Sequence, residues 1–483
     1  MTIEQAPTQP LLPNEIEESI PFEPTPMAWR AGIIATIGLI AIVAFVTRES
    51  IGVRGQALAG ILFFFGIVAA FSTNLRAVNW KTVGWGIALQ MLLALLVLKG
   101  RINIDGREYS VYGMLERVGS GVKAFIAFSD KGAEFVFGNL AVPGDLAATY
   151  GDRFLFPFAF KALPPILFVS AFFTVLYHYG ILQRCVRLLS RVMMHLMGTS
   201  GAETLSVSAN VFMGQTEAPL IVKPYVPRMT NSELFALMAS GMAHISGGMM
   251  AVYINYGANP VAVLTTCVMA CPCSLYLAKL FMPEVGVPET SGKTPVEYGK
   301  SPYVNAIDAA ASGTSDGLRL AFNVAAMLIV FIAFVAMADG LLGLISTAWI
   351  NSLTGWMLPD SLTLQWIFGQ IFTPVAFLIG IESADQAKVG SLLGSKLAIN
   401  EHYAYLQMKT FMQTANFMSD RSYQLTAFAL TGFANFSSVG IQLGGIGAMA
   451  PERRGDLARL GMSALFVGFT ATLLNAAVAG LLL

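Results

Sequence analysis

An all-α polytopic membrane protein is the fold the sequence predicts, with about nine transmembrane helices plus two re-entrant helical hairpins in an inverted repeat. Three observations predict it. Hydrophobic residues make up 55% of the 483 residues and charged ones only 12%, with a mean hydropathy of +0.64, a balance that keeps no chain of this size in water. Long apolar runs recur along the chain at the length a bilayer core demands. Two stretches interrupt that pattern with polar side chains, and each is followed by a related segment.

Residues 1–28 come first, rich in Pro and Glu and lacking the basic, apolar and small-residue order of a secretory signal, so they read as a disordered cytoplasmic tail. Residues 29–160 read as N-terminal scaffold helices, with apolar runs near 30–47, 55–71 and 83–99. The first half of the core, 161–345, holds runs near 162–183, 232–256, 261–283 and 318–345, and the second half, 346–483, runs near 423–446 and 459–483.

Basic residues set the orientation. Arg76 and Lys81, then Arg184, Arg187 and Arg191, then Arg228, then Lys293 and Lys300, then Arg453, Arg454 and Arg459 fall in alternate connections, and one threading puts them all in the cytoplasm. That threading sets the N-terminus inside and the C-terminus outside a bacterial inner membrane. It requires residues 203–226 and 365–412 to enter and return without crossing, the first opening inward and the second outward.

Composition supports both hairpins. The first carries Asn210, Gln215, Thr216 and Glu217 and the second Lys396, Asn400 and Glu401, where a lipid-facing helix does not tolerate such groups. An internal repeat agrees: Ser240-Gly241-Met242-Ala243-His244-Ile245-Ser246-Gly247 aligns with Thr431-Gly432-Phe433-Ala434-Asn435-Phe436-Ser437-Ser438 at a constant offset (435 − 244 = 191). Each copy interrupts an apolar helix with Gly and Ser, freeing backbone carbonyls to face a cavity, and paired interrupted helices point to a transporter site at the midplane.

Glu217 and Glu401 are the most informative residues, because a carboxylate inside the bilayer costs several kcal/mol unless paired, hydrated or offered to a ligand. The structural alternative is a buried ion pair with Lys223 or Lys396. Gln215, Thr216, Asn435 and Ser438 add donors and acceptors suited to a neutral solute rich in hydroxyl and amide groups, with Phe433 as a ring face; their alternative is bonding between helices. Twenty-nine basic against 29 acidic residues leave no basic field for nucleic acid. Cys185, Cys267, Cys271 and Cys273 read as packing residues, without disulfide or zinc spacing.

Two motifs are set aside. Gly313-Thr314-Ser315-Asp316-Gly317 fits a nucleophile elbow with no strand before it, and Gly445-Ile446-Gly447-Ala448-Met449-Ala450 fits a dinucleotide fingerprint with neither strand nor acidic partner. Close helix packing accounts for the second.

The segments Gly214-Gln215-Thr216-Glu217-Ala218-Pro219-Leu220 and Met229-Thr230-Asn231-Ser232-Glu233-Leu234 resemble the signature of the concentrative nucleoside transporter family. Ile399-Asn400-Glu401, Gly432 to Ser438 and Ala450-Pro451-Glu452-Arg453-Arg454-Gly455-Asp456 resemble it in the same order, and the likeness runs from about residue 55 to the end. The resemblance implies symport of nucleosides with a cation by alternating access, no cofactor, and a homotrimer in the bilayer whose scaffold surrounds a mobile domain. It implies that Gln215, Thr216 and Glu217 hold the nucleobase, that Glu401, Asn435 and Ser438 hold the ribose, and that Leu320, Phe433 and Met249 form apolar walls. It further implies a sodium ring of the Asn210 side chain, the Met213 and Ile245 carbonyls and one hydroxyl.

The sequence departs from the family at that last position, which is His244. Imidazole is a softer ligand than oxygen and itself takes a proton near neutral pH, so H+ stands beside Na+ as the coupling ion; the alternative is that His244 only hydrogen-bonds while Ser246 supplies the oxygen. A second departure, Gly380-Ile381-Glu382-Ser383-Ala384-Asp385, puts the local turn of the second hairpin region in question. The helix near 30–47 is extra relative to eight-crossing bacterial members. Two other classes were weighed: a passive channel, which calls for a continuous polar stripe, and an intramembrane enzyme using Glu217, His244 and Glu401, against which stand four histidines without H-E-x-x-H spacing.

Overall fold

A computed structural model describes residues 23–104, 107–142, 158–161, 163–292, 302–345, 358–412 and 418–483, with Thr347 and Asn351 between them. The tail expected over 1–28 lies almost wholly outside the described residues, as do Lys293 and Lys300. The chain opens with α1 (Met27–Val46), α2 (Arg48–Ala70) and α3 (Trp80–Leu98), then a two-stranded antiparallel hairpin, β1 (Arg101–Ile104) and β2 (Arg107–Ser110), then α4 (Val111–Phe137). Next come α5 (Leu163–His178), α6 (Ile181–Met197), α7 (Gly201–Ala209), α8 (Asn231–Ala243), α9 (Gly247–Asn255), α10 (Pro260–Phe281) and α11 (Ala306–Gly343). The last part holds α12 (Leu364–Ile379), α13 (Gln386–Ala398), α14 (Glu401–Met412), α15 (Asp420–Leu430), α16 (Phe436–Met449) and α17 (Arg454–Leu482).

Every apolar run of the sequence falls on a helix or a broken helix. Among the described residues, six spans are long and apolar enough to cross a membrane: α1, α2, α3, α10, the broken pair α8–α9, and α17 with the turn before it. The run at 162–183 is corrected: α5 ends at His178, Gly180 turns the chain in the left-handed region at φ 73°, and α6 leaves at 73°. Leu182, Val186, Ser190, Met193 and Met197 bury one side of α6 while Arg184, Arg187 and Arg191 line the other, the pattern of a helix lying along an interface. The remaining runs lie on the 38-residue α11 and the broken pair α15–α16.

The two halves repeat one plan: a re-entrant hairpin, a broken helix, then a long buried helix. In the first half these are the hairpin begun by α7, the pair α8–α9, and α10; in the second, α13–α14, α15–α16 and α17. The halves interlock by exchange, since α8 packs on α17 and α15 packs on α10, while α10 and α17 pack on each other. This is the cross-packing an internal two-fold demands. Burial follows it: 89% of the apolar stretch of α10 is buried against 11% in α1, which clings to α2 at the periphery.

Caps fix where the helices start. Ser200 with Glu203, and Thr230 with Glu233, form reciprocal capping boxes at the starts of α7 and α8. Buried Lys279 of α10 sits 2.7 Å from Glu203 and 3.2 Å from Glu284, and donates to Ser232 at 2.9 Å, so the base of the first hairpin is bolted to α8 and α10. Arg453, also buried, donates to the Pro227 and Met229 carbonyls and to Asn231 Oδ1, tying the start of α17 to that same base. The segment Ala450 to Asp456 thus holds the first hairpin from the second half of the chain.

The second polar stretch divides into three helical segments. α12 ends at Gly380 in the left-handed region, where a Cβ would stand 2.5 Å from the Val53 carbonyl oxygen. The questioned turn at 380–385 therefore forms, with Asp385 accepting from the Ser419 N–H and pairing with Lys388. The hairpin reversal at Ile399–Asn400 lies between α13 and α14, where Asn400 Oδ1 accepts from the Tyr403 N–H at 2.8 Å. Gly313 and Gly317 lie inside α11, with no strand leading into it among the described residues, and serve its close packing on α5, a Cβ at 313 falling 2.5 Å from Thr174 Oγ1. Cys267, Cys271 and Cys273 are buried and unpaired as expected, whereas Cys185 is exposed on α6.

Candidate functional site at the two helix breaks

The first break separates α8 from α9 at His244–Ser246, and the second separates α15 from α16 at Thr431–Asn435. They touch: the Phe433 N–H donates to the His244 carbonyl at 3.0 Å. Gly432 permits this contact, because its φ of 149° disfavours other residues and an added Cβ would lie 2.5 Å from Thr472 Cγ2 and 3.1 Å from the Ala243 carbonyl oxygen. Each half-helix begins at the break with a cap, Ser246 Oγ accepting from the Met249 N–H and Asn435 Oδ1 from the Ser438 N–H. Two positive helix ends therefore face the centre of the molecule.

The first hairpin folds its tip over Asn210–Glu217. The Gly214 N–H donates to Glu217 Oε2 at 3.0 Å, bending the acidic side chain back on the tip, and Glu217 stays exposed while Gln215 is buried. Gln215 Nε2 donates to Ser438 Oγ at 3.1 Å, and Gln215 Oε1 accepts from Gln442 Nε2 at 3.2 Å. Thr216 lies against Gly445 of α16, where a Cβ would stand 2.5 Å from Thr216 Cγ2. Gly445 of the apparent dinucleotide motif makes room for the hairpin tip.

The second hairpin brings Glu401 to the same place. Its Oε2 accepts from Asn435 Nδ2 at 3.0 Å and its Oε1 from the Tyr253 hydroxyl at 2.7 Å. Asn435 Oδ1 also accepts from Ser437 Oγ. One continuous chain, Glu401 to Asn435 to Ser438 to Gln215, joins the tips of both hairpins through the second break. Side chains about 220 residues apart in sequence meet there.

Around the first break the partners are fewer. Asn210 Nδ2 donates to Ser240 Oγ at 3.1 Å, but its Oδ1, buried, has no partner among the described residues. His244 Nδ1 lies 2.9 Å from the Ser240 carbonyl, so that nitrogen carries the hydrogen, and Nε2 has no partner among the described residues. Ile245 is buried, and Met213 is half-buried one turn beyond Asn210. A buried amide oxygen without a partner among the described residues is the kind of ligand a small hard cation takes.

Among the described residues neither Lys223 nor Lys396 forms an ion pair with Glu217 or Glu401, although the Lys396 charge acts on Glu401. Lys396 is fully buried but donates to the Ala429 carbonyl at 2.8 Å and Thr472 Oγ1 at 2.9 Å, under the Phe469 ring, so it caps the C-terminal end of α15. Lys223 is exposed. Of the apolar candidates, Met249 is buried on α9, Phe433 is half-buried in the second break, and Leu320 is half-buried on α11. Asp316, one turn before Leu320, is exposed on α11, and its charge acts on Glu217. Tyr253, Gln442 and Asp316 were missed by sequence reasoning. Gln442 and Tyr253 sit inside apolar runs, and Asp316 was spent on a false motif.

Comparison with known proteins bears on this geometry. Residues 262–480 match the model of the Na+ dependent nucleoside transporter C-terminus, residues 59–140 that of its N-terminus, and residues 159–259 a nucleoside recognition model. An uncharacterized transporter of Haemophilus influenzae is 38% identical over 429 residues, covering 88% of this chain and 97% of that one. The human sodium/nucleoside cotransporter 1 is 35% identical over 438 residues, 88% of this chain but 63% of the longer human protein. Among solved structures, CNTnw in an inward-facing substrate-bound state superposes with a TM-score of 0.79 at 36% identity, covering 89% of this chain and 98% of that one. A variant of CNTnw in an outward-facing state gives a TM-score of 0.78.

Proposed function

Because the chain belongs to the concentrative nucleoside transporter family, a family of transporters and not of enzymes, we propose that it imports nucleosides by symport with a cation through alternating access. The observation that carries this reading is the hydrogen-bonded chain joining both hairpin tips at the second break. Polar groups persist at that depth when they gather around a guest.

Gln215, Thr216 and Glu217 bind the nucleobase, and Glu401, Asn435 and Ser438 bind the ribose hydroxyls. Met249, Leu320 and Phe433 wall the base. The unoccupied carboxylate face of Glu217 supports the first assignment, since a carboxylate accepts from an amino or imino N–H of a base. The coupling cation, Na+ or H+, settles between the first tip and the first break, at Asn210, Met213, His244 and Ile245. The buried, unpartnered Asn210 Oδ1 supports a cation there, and His244 in place of a hydroxyl supports the proton. Binding the cation orders the tip that carries Gln215 to Glu217, so cation and nucleoside each raise the affinity of the other.

The chain acts as a homotrimer in a bacterial inner membrane, with the N-terminus cytoplasmic and the C-terminus outside. Scaffold helices surround the mobile unit of hairpins and broken helices. Uptake of labelled uridine into proteoliposomes, driven separately by a sodium gradient and by a pH gradient, tests the reading. Accumulation under one of them is expected, and absence of uptake under both overturns it.

A further inference from the structure

We propose that Tyr253 of α9 is a positioning residue for ribose recognition, its hydroxyl fixing the Glu401 carboxylate through Oε1 while Asn435 fixes Oε2. This rests on the reading of Glu401 as the ribose-binding group.

The two donors come from opposite halves of the repeat. Asn435 belongs to the second break and already caps α16, so its place is set by the backbone it caps. Tyr253 belongs to the half-helix that follows the first break, two turns beyond the Ser246 cap. Glu401 is thus a point where the two halves of the repeat share one side chain.

The surroundings of Tyr253 hold its hydroxyl in a single place. Its ring stacks on Tyr405 of α14, centroids 4.4 Å apart and planes 21° apart, and meets the His402 ring at 5.9 Å. Tyr405 is itself held, its hydroxyl bonding the Ala427 carbonyl at 3.0 Å and Thr431 Oγ1 at 2.8 Å. A phenylalanine would fill the same packing space, so the hydroxyl matters for what it touches, and it touches Glu401. With one lone pair of Oε1 taken by Tyr253 and one of Oε2 by Asn435, the carboxylate keeps a fixed plane, with remaining lone pairs for the paired hydroxyls of a ribose. A carboxylate free to rotate would lose the bidentate grip.

The test uses purified full-length protein and equilibrium binding of uridine, 2′-deoxyuridine and 3′-deoxyuridine. Tyr253→Phe is expected to weaken uridine binding about tenfold, the scale of one charge-assisted hydrogen bond. The loss should shrink to about twofold for 3′-deoxyuridine, which has no hydroxyl pair to grip. In a Glu401→Gln background, Tyr253→Phe is expected to add nothing, because the group it positions is gone. Tyr256→Phe deletes a buried hydroxyl one turn further along α9 that bonds His402 instead, and should leave uridine affinity within about twofold. Equal losses for all three ligands, or a loss that persists in the Glu401→Gln background, would make Tyr253 a packing residue and overturn the proposal. Wild-type protein that fails to bind uridine at all would instead sink the nucleoside reading beneath it.

Discussion

The two helix breaks share a layout and a sequence pattern but differ in how their polar groups are satisfied. At the second, both oxygens of Glu401 have donors, Asn435 Oδ1 accepts twice, and Lys396 covers a carbonyl at the end of α15. At the first, Asn210 Oδ1 and His244 Nε2 are buried without partners among the described residues. A buried polar atom left unbonded costs about 1–3 kcal/mol. The protein itself therefore satisfies the Glu401–Asn435 pair at the second break, though not Gln442 Oε1 beside it, whereas at the first break both named atoms stay unbonded among the described residues. Under the proposed function, that division would follow from an order of loading in which the cation comes first.

The largest expected effect tests the finished break. Glu401→Gln removes the charge and places an amide NH2 against donors, Tyr253 or Asn435, that need an acceptor. Charge-assisted bonds of about 1.5–3 kcal/mol each are lost, so uridine affinity should fall about a hundredfold. Calorimetric titration of the purified variant checks this. Affinity within threefold of wild type would remove Glu401 from the site and erase the contrast between the breaks.

The unfinished break predicts a different kind of loss. Asn210→Ala deletes the orphaned oxygen and also the donor to Ser240. The concentration of the coupling cation needed for half-maximal uptake should rise about tenfold, roughly the worth of one ligand to a cation, with uridine affinity at saturating cation changed much less. Titrating uptake against cation and against uridine separates the two. Equal losses on both axes would show that Asn210 supports the nucleoside half.

Much of this contrast was legible in the sequence, and the reason is thermodynamic. Apolar runs announce helices because a bilayer leaves the backbone few other ways to bond itself, and Glu217, Glu401 and Asn435 announce the site because polar groups inside such runs need a reason. What stayed hidden is of three kinds. The amphipathic α4 and α6 spread their apolar residues at helical period and never make a run. The bend at Gly180 rests on one glycine inside an apolar run, and the short β1–β2 hairpin on a few residues within a connection. The bond from Tyr253 to Glu401 spans 148 positions, and nothing in a stretch such as Met249–Tyr256 marks one tyrosine as aimed at a carboxylate and the next as aimed at a histidine. Pairing of this sort is decided by how the halves interlock, which no local pattern carries.

His244→Ser is expected to change affinity least and to say the most about what the first break receives. The ring donates from Nδ1 to the Ser240 carbonyl, so a neutral imidazole presents a bare lone pair at Nε2 in a buried place. A proton taken up there turns the ring into the cation itself, whereas sodium prefers the oxygen that serine would bring. Glu401 and Asn435, proposed to grip the nucleoside, and Tyr253, which positions Glu401, keep their bonds, so uridine affinity at saturating sodium should stay within about threefold, less than one hydrogen bond to a charged group. The driving force should change instead: uptake answers to a pH gradient in the wild type and to a sodium gradient in the variant. Parallel proteoliposome assays under the two gradients decide it. If both proteins answer to the sodium gradient, His244 is a structural cap on α8 and Ser246 or another oxygen completes a sodium ring; if both answer to the pH gradient, the proton is carried by a group other than His244.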